Sequence, residues 1–357
     1  MERAFRRSHD STHARRVQPG WRQIVLGLLP SLAAVAVVLF FYSWTSHSSG
    51  ERSAAQAHEL TYPASLISET AQPDGDEWLL PSAAVRIDDL LYVVDTGYHR
   101  VLVVDLNGHV VRRIDATTDS RLRLQQPLAI ASDGKRLFIA SSDPGEIVVT
   151  DLEGRVERVI TPPLVQPNER PIRPIGLAVT ASGTLVVADA NNSRVLLLDE
   201  EGGIKAAVGT GARADGEVGF NVPSGLAVDR DGYIYVVDTL NGRVVQLSPT
   251  GEYVKQLGSL GGSAGNLSRP KGVAVDREGR VFVSDTIMAA VVVFDPGGTY
   301  LGAIGRRVRT DPQSDLVLEA PAGLWLSDDQ LYVTDRYAGL VTFKVGDQGF
   351  RPASPSR

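Results

Sequence analysis

Six versions of one apolar–polar–apolar segment, recurring every 46 to 50 residues, predict an all-β chain folded as a six-bladed β-propeller. One long uncharged run ahead of them predicts a single transmembrane α-helix.

The segments are LYVVDTGYHRVLVVDLNG (91–108), LFIASSDPGEIVVTDLEG (137–154), LVVADANNSRVLLLDEEG (185–202), IYVVDTLNGRVVQLSPTG (234–251), VFVSDTIMAAVVVFDPGG (281–298) and LYVTDRYAGLVTFKVGD (331–347). Aligning them places Asp95, Ser141, Asp189, Asp238, Asp285 and Asp335 in one column. A proline opens the preceding strand of each unit, as in PIGLAV (174–179), PSGLAV (223–228), PKGVAV (270–275) and PAGLWL (321–326). Turn signals such as Asp231-Gly232 separate first from second strand, and others such as Asn107-Gly108 separate third from fourth. Runs such as LYVV and VLVV show no polar alternation, which requires burial on both faces. Blades stacked face to face around an axis provide that environment. The sixth unit has no fourth strand of its own, because the chain after Val345 soon becomes the polar stretch GFRPASPSR. Residues 59–67, ELTYPASLI, are expected to pair there and close the ring.

The N-terminal segment is read separately. Arg3, Arg6, Arg7, Arg15, Arg16 and Arg22 stand against only Glu2 and Asp10, and no further charge appears until Glu51. As a helix the run from Ile24 to Tyr42 spans about 28 Å, against a hydrocarbon core of about 30 Å. Trp21, Tyr42 and Trp44 suit the interfaces, and the arginine excess directs the N-terminus to the cytoplasm. Ala55-Gln56-Ala57 has the form of a leader cleavage site, but it lies well beyond the end of the run, which favours an uncleaved anchor. The expected order is an arginine-rich cytoplasmic tail (1–22), a transmembrane helix (23–44), a Ser/Ala-rich linker (45–58), a propeller outside the cytoplasm (59–347) and a disordered tail (348–357).

A composition of 43% hydrophobic and 22% charged residues suits a globular domain. The absence of cysteine excludes disulfides, thiolate metal sites and cysteine nucleophiles. Beyond position 22 the chain keeps 30 of its 36 basic and 40 of its 42 acidic residues, a balance of −10 that disfavours nucleic acid as a partner.

Asp, Thr, Asn and Arg recur between apolar strands in DTLNGR (238–243), DANNSR (189–194) and DTGYHR (95–100). This pattern resembles the NHL repeat, and the likeness extends from the first unit to the last. It implies the six-bladed fold, but NHL propellers serve as binding modules, sensor ectodomains, RNA readers and one amidating lyase. SSDPGE (141–146) departs from it at both the Asp and Arg columns, whereas DTIMAA (285–290) and DRYAGL (335–340) lose only the arginine.

The pairs Asp95/Arg100, Asp189/Arg194 and Asp238/Arg243, with Asp285 and Asp335, are read as structural, because a catalytic group is needed once and a blade-fixing group in most blades. The amidating-lyase branch implies a histidine-rich zinc site, and the propeller has only His99 and His109. GTGARADG (209–216) lacks the following helix a nucleotide loop needs. Binding residues are instead sought where the repeat is broken, on the face shared by the second-to-third-strand loops and the blade-to-blade loops. There lie Tyr98, His99, Ile287, Met288, Arg336, Tyr337 and the basic run Arg306, Arg307 and Arg309. The sequence thus favours a non-enzymatic binding or scaffold module that recognises a protein or surface polymer. No cofactor is predicted. The alternative is a calcium-dependent, lactonase-like hydrolase or lyase, with calcium held by Asp, Asn and backbone oxygens.

Overall fold

The computed structural model describes residues 62, 64–74, 76–305, 318–327 and 329–346, and in it the sequence repeat becomes a repeat of sheets. An N-terminal strand, β1 (Ala64–Thr70), precedes the first blade. Blade one is β2 (Pro81–Ile87), β3 (Leu90–Asp95), β4 (Arg100–Asp105) and β5 (Val110–Ile114). Blade two is β6 (Pro127–Ser132), β7 (Arg136–Ser141), β8 (Glu146–Asp151) and β9 (Val156–Ile160). Blade three is β10 (Pro174–Val179), β11 (Leu185–Asp189), β12 (Arg194–Leu198) and β13 (Ile204–Val208). Blade four is β14 (Pro223–Val228), β15 (Ile234–Asp238), β16 (Arg243–Leu247) and β17 (Tyr253–Leu257). Blade five is β18 (Pro270–Val275), β19 (Val281–Asp285), β20 (Ala290–Phe294) and β21 (Tyr300–Ile304). Blade six takes β22 (Pro321–Ser327), β23 (Gln330–Asp335) and β24 (Gly339–Val345) from the C-terminal end, and its outer strand is β1.

That last pairing closes the ring from the opposite end of the chain, as the sequence anticipates, with the strand at 64–70 rather than 59–67. Ala64 lies opposite Val345, Leu66 opposite Phe343 and Thr70 opposite Leu340, with one irregularity between Leu66 and Ser68. Residues 1–58 and 348–357, assigned above to tail, helix, linker and C-terminal tail, lie outside the described residues. Among those described, no helix is long and apolar enough to cross a membrane.

The strands are apolar on both faces because each blade is shared between two hydrophobic layers. In blade one, Tyr92, Val94, Val101 and Val103 pack with Ile130, Leu137, Ile139 and Val148 of blade two. Their alternating neighbours Leu91, Val93, Leu102 and Val104 point the other way, to Tyr332 and Leu340 of blade six. Period-2 alternation is therefore intact, but it sorts one apolar set from another. Equivalent layers join blades two and three, three and four, four and five, and five and six.

At the axis the first strands of adjacent blades touch directly, all round the ring. Gly225 and Gly272 show how close they come: a Cβ on either would strike the carbonyl of Lys271 or Ala322 in the next blade. Space is the reason for glycine here. Hydroxyls staple the same contacts, with Thr96 Oγ1 donating to Pro127 O (2.6 Å), Ser224 Oγ to Lys271 O (3.1 Å) and Thr286 Oγ1 to Pro321 O (3.0 Å).

Candidate functional site

Each aspartate of the repeat column ends the second strand of its blade, opposite the proline that opens the first: Asp95 faces Pro81, Asp189 faces Pro174, Asp238 faces Pro223, Asp285 faces Pro270 and Asp335 faces Pro321. All five are fully buried. Each carboxylate receives backbone N–H groups from the loop arriving from the preceding blade: Leu79 on Asp95 (2.7 Å), Arg173 on Asp189 (3.0 Å), and Asn221 on Asp238 (2.7 Å). In these three blades the other oxygen accepts Arg Nε, from Arg100 (2.9 Å), Arg194 (3.0 Å) and Arg243 (3.0 Å). Further guanidinium nitrogens hold the same loop. Arg100 reaches Asp76 and Glu77 O, Arg194 reaches Glu169, and Arg243 reaches Gly216 O and Gly219 O. Burial still raises the carboxyl pKa values of Asp95 and Asp238 against these partners.

Blades five and six lack the arginine without losing the function. Asp285 accepts from four backbone N–H groups, those of Ser268, Arg269, Ile287 and Met288. Asp335 does the same with Glu319, Ala320, Tyr337 and Ala338. In blade two Ser141 Oγ takes over, accepting Gln125 N–H at 3.0 Å. The column is a loop clamp throughout.

The residues singled out for binding separate into several kinds. Tyr98 is exposed, but its ring lies 4.6 Å from the Arg100 guanidinium and its hydroxyl reaches Glu77 at 3.3 Å. It caps the clamp. His99 is exposed at the left-handed corner of its loop, where every blade turns: φ is 55° at His99, 98° at Gly145, 50° at Ser193, 61° at Gly242, 51° at Ala289 and 78° at Gly339. The corner explains why the backbone bends at His99, not why a histidine stands there. Because L-residues pay for this conformation, Ala289→Gly is expected to raise stability by up to about 1 kcal/mol, part of the relief being offset by unfolded-state entropy. A urea unfolding curve checks it, and a lower midpoint would contradict it. His109 lies at the other end of β4. There it bonds Asp105 (3.0 Å), which raises the imidazole pKa and holds the carboxyl down at about 2.

Ile287 and Tyr337 are the most open of the group, at 65% and 62% exposure. Met288 is instead partly buried against the layer between blades four and five. Arg336 is exposed on the loop after Asp335. Arg306, Arg307 and Arg309 lie outside the described residues.

One group escaped sequence reasoning. Lys271, the residue after Pro270, is half-buried on β18 at the axis. Burial above all, then the guanidinium groups of Arg269, Arg336 and Arg173, push its ammonium down to about 8. The equivalent residues in the other blades are Ser82, Leu128, Ile175, Ser224 and Ala322, so a charge in that column was the available signal.

Among the described residues no three His, Asp or Glu side chains are grouped to hold a metal ion. A calcium-dependent centre in the channel would need converging carboxylates. At the loop-face end of the axis, Lys271 and the guanidinium groups acting on it oppose a divalent cation.

The NHL repeat profile matches residues 172–196 and 220–247, within blades three and four. No curated protein matches the chain. Among solved structures it is similar to a streptogramin B lyase, at 10% identity and TM-score 0.55 over 80% of this chain and 98% of that one. A selenomethionine-substituted virginiamycin B lyase from Staphylococcus aureus is similar at 10% identity and TM-score 0.52, over 80% and 100%. A structure with a provisional gluconolactonase description gives 16% identity and TM-score 0.56, over 80% and 92%. At these identities the likeness is one of fold. With six four-stranded blades and NHL repeats matched in two of them, the chain is a six-bladed β-propeller that carries NHL repeats.

Proposed function

We propose that this propeller is a non-enzymatic binding or scaffold module, held outside the cytoplasm by residues 23–44, that recognises a protein or surface polymer through its loop-bearing face. The distribution of exposed apolar side chains carries the reading. Nine of the fifteen large ones exposed among the described residues lie in the loops of that face, including Tyr98, Leu164, Leu240, Leu260, Ile287 and Tyr337. The other six are spread over outer strands and a turn. Apolar surface gathered on one face of a rigid scaffold marks an interaction site.

The test places a photoreactive amino acid at Leu240 in the full chain, made in its own cells, with the same probe at Val254 on an outer strand as control. Discrete cross-linked products at position 240 and none at 254 are expected. Equal cross-linking at both, or none at 240, would end the proposal.

A further inference from the structure

We propose that the loop-face end of the axial channel is a binding site for an oxyanion, the carboxylate or phosphate group of a small ligand, received between Lys271, Arg173 and Arg336. The fold brings these residues together from three blades. Arg173 immediately precedes Pro174 and Arg336 immediately follows Asp335, the two positions that begin first strands and end second strands at this face. Lys271 stands one residue further in, on β18. Its backbone is fixed, because its carbonyl accepts Ser224 Oγ and abuts Gly225. The ammonium is therefore presented from a strand and not from a loop.

Three features point to an anion. Every charged group acting on the Lys271 ammonium among the described residues is a cation, so the site holds a partly desolvated charge with no opposite charge beside it. Arg336 occupies the place where Thr96, Thr239 and Thr286 make hydroxyl contacts near the axis. Blade six gives up that staple for a planar guanidinium, whose fork matches carboxylate or phosphate. Finally, the chain beyond position 22 carries a net charge of −10, so a cation cluster at the axis is a local reversal of the protein's field. Arg269 acts on the same ammonium but already has a partner, and the site does not depend on it.

The anion site stands whether or not the apolar rim engages a macromolecule, and a small probe reports it alone. The full chain, kept in non-ionic detergent, is titrated calorimetrically at pH 7 with inorganic phosphate and, separately, acetate, with chloride balancing ionic strength. Saturable binding is expected from at least one, weakened tenfold or more in both Lys271→Met and Arg336→Thr. The threonine variant restores the residue found in three other blades, so it keeps the result interpretable if the methionine variant folds poorly. Stronger binding of phosphate assigns a phosphoryl ligand, and stronger binding of acetate a carboxylate. No saturable binding of either anion, or binding unchanged in Arg336→Thr, would overturn the proposal.

Discussion

Removing residues 1–70 is expected to cost the propeller several kcal/mol and to leave it prone to association. The deletion takes away β1, whose six register pairs with β24 supply the outer strand of blade six. At about 1 kcal/mol net per hydrogen bond, a strand pairing of this length contributes a few kcal/mol. Tyr62 goes with it. Its ring is buried in the layer between blades five and six and meets Phe282 edge-on at 5.7 Å, a burial worth about 2 kcal/mol. Against a total stability of about 5–15 kcal/mol, such a loss leaves little margin. The bare edge of β24 would also present unpaired N–H and C=O groups beside Val341 and Phe343. Urea unfolding and size-exclusion chromatography, compared with the intact chain, measure both effects. An unchanged midpoint would mean that blade six holds with three strands.

The ring closure was legible in the sequence, and the placement of its strand less so, for a physical reason. Outer strands are open on one side: β1 has no fully buried residue over ASLISET, and Ser65, Leu66 and Ile67 are exposed in succession. Hydropathy therefore points upstream, toward Leu60 and Tyr62, rather than to the serines that make the pairing. Inner strands gave the opposite case. VVAD, YVVD and FVSD are buried throughout, and their pattern located them closely.

The candidate site divides along the same line. A repeated residue announces itself, which is why the sequence reads the aspartate column as architecture. Arginine loss in blades five and six was harder to interpret, because the replacement donors are backbone N–H groups, which carry no sequence signature. Lys271 was missed for another reason. Its meaning depends on Arg173 and Arg336, far away in sequence, reaching the same end of the axis. Only the closed ring brings them together.

Replacing Asp285 tests the clamp where it has no arginine to share the work. Asp285→Ala strands four backbone N–H groups around a side chain of 0% exposure. Each unsatisfied donor costs about 1–3 kcal/mol, and water entering the vacated space offsets part of it, so a loss of about 4 kcal/mol is expected. Asp285→Asn should not rescue it. Whichever way the amide turns, its NH2 faces two N–H donors: those of Ser268 and Arg269 (2.6 and 2.8 Å) or those of Ile287 and Met288 (3.1 and 3.0 Å). Asp238→Ala fails differently, stranding the Asn221 N–H and leaving Arg243 buried without its carboxylate. A buried unpaired cation costs about 3–5 kcal/mol, so Asp238→Ala combined with Arg243→Met should recover part of the loss. No second substitution offers Asp285→Ala such relief, because its stranded partners belong to the main chain. Urea unfolding of the four variants gives the comparison. A loss below about 1 kcal/mol for Asp285→Ala would show that this carboxylate is not a clamp, and would reopen its column to a functional role.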